Sequence, residues 1–374
     1  NIVESIVEEE NVMDIKIITC HYAYNYGAVL QTYALCKFLN DRENKTEVIN
    51  YRPWYYKGST KTKNKMKLAL RKIARIPDHY KSEKIFMSFL KHHVPMTIEY
   101  NDYDSLVKAE LESDLFIAGS DQIWNFNMPN GSDSAFYLEF VKKGKKASYA
   151  ASLGMDSLTE KQLFNLKERI KHFDYVSVRE NSAKELLEEI STQEVRAVTD
   201  PVYLLHQDEW NSISKKPENF MDEKYVLVYA FNRQREIFEF AKKLAKKYGY
   251  KIFSVNTFWE DVLNKTDHYY WNCMPEEFIY LISHAECVVT NSFHGLSFSM
   301  IFNRPAILFE KNEDGNSRMN DLIEMLGAYE VKDKKVKEEV IIPIIDFDKI
   351  NRNIEKYREQ SVQYLNLLTR SDDK

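Results

Sequence analysis

The sequence predicts an α/β protein built from two doubly wound lobes, and three observations lead there. Short β-rich runs alternate with helical stretches along almost the whole chain, the pattern of parallel strands joined by helical crossovers. The alternation lapses once, between Asp200 and Glu223, in a polar stretch with Pro201, Pro217 and several lysines, before a strong apolar strand restarts at Tyr225. The chain has 374 residues, 44% of them apolar, which suits two or three domains of about 100 to 200 residues each. The lobes are expected at residues 14–205 and 224–345, with 346–374 forming a C-terminal helix that packs back across both.

In the first lobe the strand candidates are Ile15 to Thr19, Thr46 to Asn50, Asp114 to Ala118, Lys146 to Ala151, Tyr175 to Val178 and Val195 to Val198. Helical patterns separate most of them; the one after Thr159 sets Leu163, Leu166 and Ile170 on a single apolar stripe. The second lobe repeats the scheme with strands at Tyr225 to Phe231, Lys251 to Val255, Cys287 to Thr290 and Ala306 to Phe309. Helices are expected between them at Arg235 to Tyr248, Pro275 to His284 and His294 to Phe302. From Asp348 to Thr369, Ile350, Ile354, Tyr357, Val362, Leu365 and Leu368 recur at mostly helical spacing, so their face is core.

Composition narrows the function. A net charge of −5 disfavours a basic nucleic-acid binder. Cys20, Cys36, Cys273 and Cys287 are scattered without a CxxC, which suggests neither a zinc knuckle nor a disulfide scaffold and fits a reducing compartment. No apolar run approaches the roughly 18 residues of a membrane span, and the acidic start reads as no signal peptide but as an appendage before Met13. A cytoplasmic protein is expected. One segment breaks the charge balance: residues 57–91 hold eleven Lys/Arg and two acids, a net +9 that leaves −14 for the remainder. Within it Met66, Leu70 and Ile73 form an apolar face on a basic helix. That face suits peripheral contact with an anionic membrane, or equally a solvated helix covering the first lobe.

Open α/β sheets place ligands beyond the carboxyl ends of their strands, so four post-strand loops hold the candidate residues. His294, in Thr290-Asn291-Ser292-Phe293-His294-Gly295, sits where a strand gives way to a helix. The free N–H groups there favour an anion, with Asn291 and Ser292 as caps or donors. In Ala118-Gly119-Ser120-Asp121-Gln122-Ile123-Trp124-Asn125, polar groups surround Trp124, which suits a sugar face or else a buried tryptophan beside an Asx turn. Arg179 ends a strand as an anion clamp or a surface ion pair with Glu180, and Asp200 in Thr199-Asp200-Pro201 either binds a hydroxyl or caps a turn. Finally, Gly27 in Asn25-Tyr26-Gly27-Ala28 lets backbone approach a ligand at the start of the first helix. GxGxxG, P-loop, GxSxG and HExxH motifs are absent from the sequence.

Taken in order, these loops resemble the polysaccharide pyruvyl transferase family. The matching stretches are NYGAVLQTYAL, GSDQIWN, SYAASLG, SVREN, the TDP turn and TNSFHGLSFSMIFNRPAI, spread over about residues 14–327. The resemblance implies a two-lobed fold like that of GT-B glycosyltransferases, phosphoenolpyruvate as donor, and a pair of hydroxyls on a glycan or lipid-linked oligosaccharide as acceptor. It matches Arg179 to a donor-binding arginine and His294 to an active-site histidine, the candidate general acid/base. Many members carry an arginine two positions before that histidine; this chain has Ser292. Arg318 is the expected substitute cation, alongside Asn291, Ser292 and Gly295 at the donor. Asn25, Gly27, Asp121, Trp124 and Asp200 are expected at the acceptor. The scheme requires no metal and no cofactor besides the co-substrate. A nucleotide-sugar glycosyltransferase and a noncatalytic glycan-binding relative are the rival readings.

Overall fold

The computed structural model describes residues 12–57, 75–231, 235–310 and 316–370, and they form two parallel sheets with equivalent strand order. The first contains β1 (Asp14–Ile18), β2 (Lys45–Tyr51), β3 (Met96–Tyr100), β4 (Leu115–Ala118) and β5 (Lys145–Ser148), arranged β3-β2-β1-β4-β5. A two-stranded sheet of β6 (Val176–Val178) and β7 (Val195–Ala197) continues it through bridges between Ala147 and Tyr175 and between Ala151 and Val178. The second sheet contains β8 (Tyr225–Tyr229), β9 (Lys251–Asn256), β10 (His268–Trp271), β11 (Cys287–Thr290) and β12 (Ala306–Leu308), arranged β10-β9-β8-β11-β12.

Central strands are buried on both faces, so they read as apolar runs: every residue of β4, β8 and β11 is buried. The strands that sequence reading misses are β3 and β10, the outer edges of the two sheets. Partly exposed and polar-aromatic, they lack the apolar run that marks a central strand. In each sheet the chain order reverses beside the first strand, between β1 and β4 and between β8 and β11. These are the topological switch points where open sheets leave a crevice.

The lobes share one apolar core, which runs from Ile17 and Ile117 through Tyr26 and Phe278 to Leu227 and Val288. At its centre the Tyr26 ring lies 4.4 Å from that of Phe278 at 5°, and the Tyr26 hydroxyl donates to the Cys273 carbonyl (3.1 Å). Helix Ile76–His93 also reaches the second lobe: Lys81 Nζ donates to the Trp271 carbonyl (2.7 Å) and Trp271 Nε1 to Asp78 Oδ1 (2.9 Å). The C-terminal helix Phe347–Leu368 fastens to both. Tyr364 donates to the Ser148 carbonyl (2.9 Å) and Arg358 Nε to that of Tyr203 (2.7 Å), while Asn353 Nδ2 donates to the Leu326 carbonyl (2.9 Å). Its Ile350, Ile354, Leu365 and Leu368 are buried. The basic face of Met66, Leu70 and Ile73 lies outside the described residues, and no described helix is long and apolar enough to cross a membrane.

Candidate active site

The carboxyl ends at both switch points open on a single cleft of about 310 Å³, at the lower end of the range typical of ligand sites, about 300 to 1,000 Å³. The loop after β1 contributes Cys20, Ala23 and Asn25, that after β4 Asp121 and Gln122, and β6 leads to Arg179. From the second lobe come Phe231 after β8, Ser292, Phe293 and His294 after β11, and Arg318.

Two helices begin at this cleft. Ser292 keeps an extended backbone and its Oγ accepts from Gly295 N (3.3 Å), which starts helix Phe293–Ile301. Asn25 does the same for helix Tyr26–Asn40, with Oδ1 accepting from Gly27 N (2.8 Å). Neither helix has an acid in its first turn, so both bring unneutralised N-terminal dipoles toward the same space. His294 lies against the first of these starts: a Cβ on Gly27 would stand 2.0 Å from His294 Nδ1. Gly27 is therefore glycine to make room for the imidazole.

Beneath the cleft floor sits a buried ion-pair network centred on Asp200. Its Oδ2 accepts from Arg179 Nη1 (2.9 Å) and Ser120 Oγ (3.0 Å) and lies 3.5 Å from His294 Nε2, too far for a well-formed hydrogen bond. Its Oδ1 caps Val202 N (3.2 Å). Arg179 extends the network by donating Nε to Glu180 Oε1 (3.0 Å), which also accepts from Ser152 Oγ (2.6 Å), and its guanidinium rests 4.1 Å over the Phe293 ring. Burial pushes the Asp200 carboxyl upward, but His294 and Arg179 outweigh it and hold the group well below the usual carboxylate range. Burial likewise opposes the charge of Arg179, yet Glu180 and Asp200 raise it further. Arg318, buried with Arg179 beside it, is pushed down by both, against the pull of Asp121 and Glu180.

Three donor-capable atoms in this floor are unused. Arg179 Nη2, Arg318 Nε and His294 Nε2 are buried without a hydrogen-bond partner among the described residues. A buried, unsatisfied charged donor is costly. Two guanidinium groups with spare donors, next to two helix starts, match a small ligand with at least two anionic ends. Across the cleft stand Asn25, Asp121, Gln122 and Asn130, a polar hydrogen-bonding face. Asp121 is held at φ 72°, a left-handed conformation uncommon for a non-glycine residue. Its carbonyl accepts from Ser152 N (3.0 Å) and Ile123 N (2.8 Å).

The structure brings His294, Arg179, Arg318, Ser292, Asn25 and Asp121 together around one space and moves five other candidates away from direct ligand contact. Trp124 cannot stack on a sugar: it is 0% exposed, its Nε1 donates to the Phe136 carbonyl (3.1 Å) and its ring stacks on Tyr137. Asp200 faces inward to Arg179 and His294 rather than toward an acceptor. Asn291 spends its amide on the Phe231 backbone, accepting from its N–H (2.8 Å) and donating to its carbonyl (2.9 Å), which ties the ends of β8 and β11. Gly295 and Gly27 serve packing; a Cβ on Gly295 would meet Thr290 Oγ1 at 2.4 Å. Sequence reading missed Phe231, Phe293 and Asn130. Phe231 had a usable signal, since it follows the strand beside the second switch point; Asn130 arrives on the short turn Pro129–Ser132, which no local pattern ties to the cleft.

The model of a family described as polysaccharide pyruvyl transferase matches residues 25–312. Among curated proteins no match was found. Of solved structures, UDP-GlcNAc 2-epimerase from Methanocaldococcus jannaschii is similar over 95% of this chain and 100% of its own, at 15% identity and a TM-score of 0.50. UDP-GlcNAc 2-epimerase from Neisseria meningitidis bound to UDP-GlcNAc (11% identity, 95% and 92% coverage, TM-score 0.48) and Arabidopsis thaliana UGT89C1 complexed with UDP-L-rhamnose (11%, 95% and 95%, 0.46) are also similar. At 15% identity the likeness to the Methanocaldococcus jannaschii enzyme is one of fold: two doubly wound lobes of the GT-B type.

Proposed function

The chain belongs to the polysaccharide pyruvyl transferase family, and from that premise we propose that it transfers the enolpyruvyl unit of phosphoenolpyruvate to two hydroxyls of a glycan or lipid-linked oligosaccharide, giving a pyruvate ketal. The observation that carries the reading is the meeting of two buried guanidinium groups with unspent donors, Arg179 and Arg318, beside His294. Phosphoenolpyruvate carries its carboxylate and its phosphate ester on the same carbon, so it satisfies both cations at once. The Asn25, Asp121, Gln122 and Asn130 face supplies donors and acceptors suited to sugar hydroxyls.

In the reaction the methylene carbon takes a proton, one sugar hydroxyl bonds to the neighbouring carbon, and the bond from that carbon to the phosphate oxygen breaks. A second hydroxyl then closes the ketal. Two O–H protons are released; one balances the proton on the new methyl group and the other leaves with phosphate. His294 is the group that gives and takes them. Asp200 faces Nε2, so proton exchange falls to the Nδ1 edge, which lies over Gly27 at the first helix start. Charge developing on the departing phosphate meets Arg179, Arg318 and the N-terminus at Ser292, all fixed before reaction.

A thermal-shift titration with phosphoenolpyruvate, uridine diphosphate and guanosine diphosphate tests the donor without knowledge of the acceptor. Phosphoenolpyruvate at 100 times its Kd stabilises by about 2.7 kcal/mol, and this gain disappears in Arg318→Ala. Stabilisation by a nucleotide diphosphate alone would replace this reading with a nucleotide-sugar transferase.

A further inference from the structure

Arg179 and Arg318 stand at the starts of two helices, one in each lobe. Arg179 lies two residues before helix Asn181–Glu188, and Arg318 is the second residue of helix Ser317–Leu326. Neither helix is capped by the side chain of its own N-terminal flanking residue, Glu180 or Asn316, and neither carries an acid in its first turn. Both starts are completed from the opposite lobe instead. Asp321, on the second-lobe helix, uses Oδ2 to accept from Ser182 N (3.2 Å) and Ser182 Oγ (2.7 Å). Asp156, in the first-lobe loop before helix Glu160–Ile170, uses Oδ1 to accept from Ser317 N (3.2 Å). Each carboxylate thus meets the positive end of the other lobe's helix, and both contacts require the lobes to stand at this separation.

This exchange of caps bears most on Arg318. Arg179 is pinned within its own lobe by Asp200 and Glu180. The Arg318 side chain forms no hydrogen bond among the described residues, and its Nε is buried without a partner. Its place in the cleft floor is therefore set by the backbone that carries it. That backbone is held on both sides of Arg318, at Ser317 by Asp156 and one turn onward by Asp321. Burial and Arg179 oppose the charge of Arg318, and Asp156 is among the carboxylates that counter them. The Asp156 loop is itself braced on the cleft: a Cβ on Gly154 would stand 2.4 Å from Oε1 of the lining residue Gln122. We propose that Asp156 and Asp321 are positioning residues of the donor site, a reciprocal latch between the lobes that sets Arg318 beside Arg179. The proposal rests on the assignment of these two arginines to the donor.

Hydrogen exchange of the full chain reads the latch without any ligand. Asp321→Ala speeds exchange at the start of helix Asn181–Glu188, and Asp156→Ala at the start of helix Ser317–Leu326, each in the lobe opposite the substitution. Thermal-shift titration with phosphoenolpyruvate then reads the positioning. Each alanine variant raises the apparent Kd about fivefold, the size expected of one lost cap. Asp156→Asn and Asp321→Asn restore it, since asparagine caps as well as aspartate. Lys81→Ala, which removes a cross-lobe bond to the Trp271 carbonyl on other elements, leaves the Kd unchanged. Because both latch contacts are exposed, the alanine variants keep the wild-type circular dichroism spectrum and melt within about 4 °C of it. Unchanged exchange at both helix starts overturns the latch. Faster exchange with a wild-type Kd, or equal weakening by Lys81→Ala, overturns the positioning role. Stabilisation of the wild-type chain by uridine diphosphate alone would instead remove phosphoenolpyruvate as donor, and the same variants in the uridine diphosphate titration would decide the latch separately.

Discussion

Gly27→Ala adds one methyl group directly against the residue assigned to proton transfer. The new Cβ would stand 2.0 Å from His294 Nδ1, 2.4 Å from Cγ and 2.6 Å from Cε1. To reach ordinary contact near 3.4 Å the ring must retreat by about 1.4 Å, and Asp200 already lies 3.5 Å from its far nitrogen. Two effects on stability compete. In helix Tyr26–Asn40 alanine is favoured over glycine by about 1 kcal/mol, whereas overpacking a tight site costs about 1 to 3 kcal/mol. The clash wins or nearly cancels, so a net loss of up to about 2 kcal/mol is expected by chemical denaturation. The effect on rate is larger, because displacing a reacting group by about 1 Å costs on the order of a hundredfold. Arg179 and Arg318 are untouched, so phosphoenolpyruvate still raises the melting temperature to the same extent. The assay is phosphate release with an accepted glycan, set beside the donor thermal shift. Wild-type kcat in Gly27→Ala would refute the placement of His294 as the acid/base, and loss of donor binding with kcat preserved would refute the division of roles.

Three further outcomes follow from the same network. Arg318→Ala weakens donor binding as much as Arg179→Ala, but only Arg179→Ala strips the partner from two buried carboxylates, at about 3 to 5 kcal/mol of stability. Thermal unfolding with and without phosphoenolpyruvate separates the two, and equal destabilisation would contradict it. Asp200 has a depressed native pKa, so its stabilisation is present above the unfolded value of about 3.9 and is lost as pH falls through and below it. Asp200→Asn therefore flattens the acid limb of stability against pH; an unchanged limb in denaturant titrations between about pH 2.5 and 6 would refute the pairing. Trp124→Ala costs about 3 to 5 kcal/mol of stability yet leaves the acceptor KM unchanged below its melting temperature, since the indole is sealed under Tyr137.

The division of labour between sequence and tertiary structure is visible in particular residues. Periodicity suffices for β4, β8 and β11, where burial on both faces leaves an apolar run, and for the C-terminal helix, whose one-sided burial repeats every turn. It fails for β3 and β10, because an edge strand needs no such run. The post-strand loops of His294, Arg179 and Asp121 were legible because open parallel sheets deliver ligands there whatever the loop's composition. Composition alone, however, cannot tell a side chain facing a ligand from one facing the core. Trp124, Asn291 and Asp200 carry the chemistry of a sugar or anion site, and only their actual partners turn them into packing, clamp and network hub. Gly27 marks the same limit. Its helix permits any residue, and what forbids a side chain is an imidazole 267 positions further along the chain, brought there by the second lobe. Local sequence sets which backbone conformations and faces are available. The contacts between distant segments, which carry most of the free energy at a buried site, are fixed only when the two lobes close on a common core.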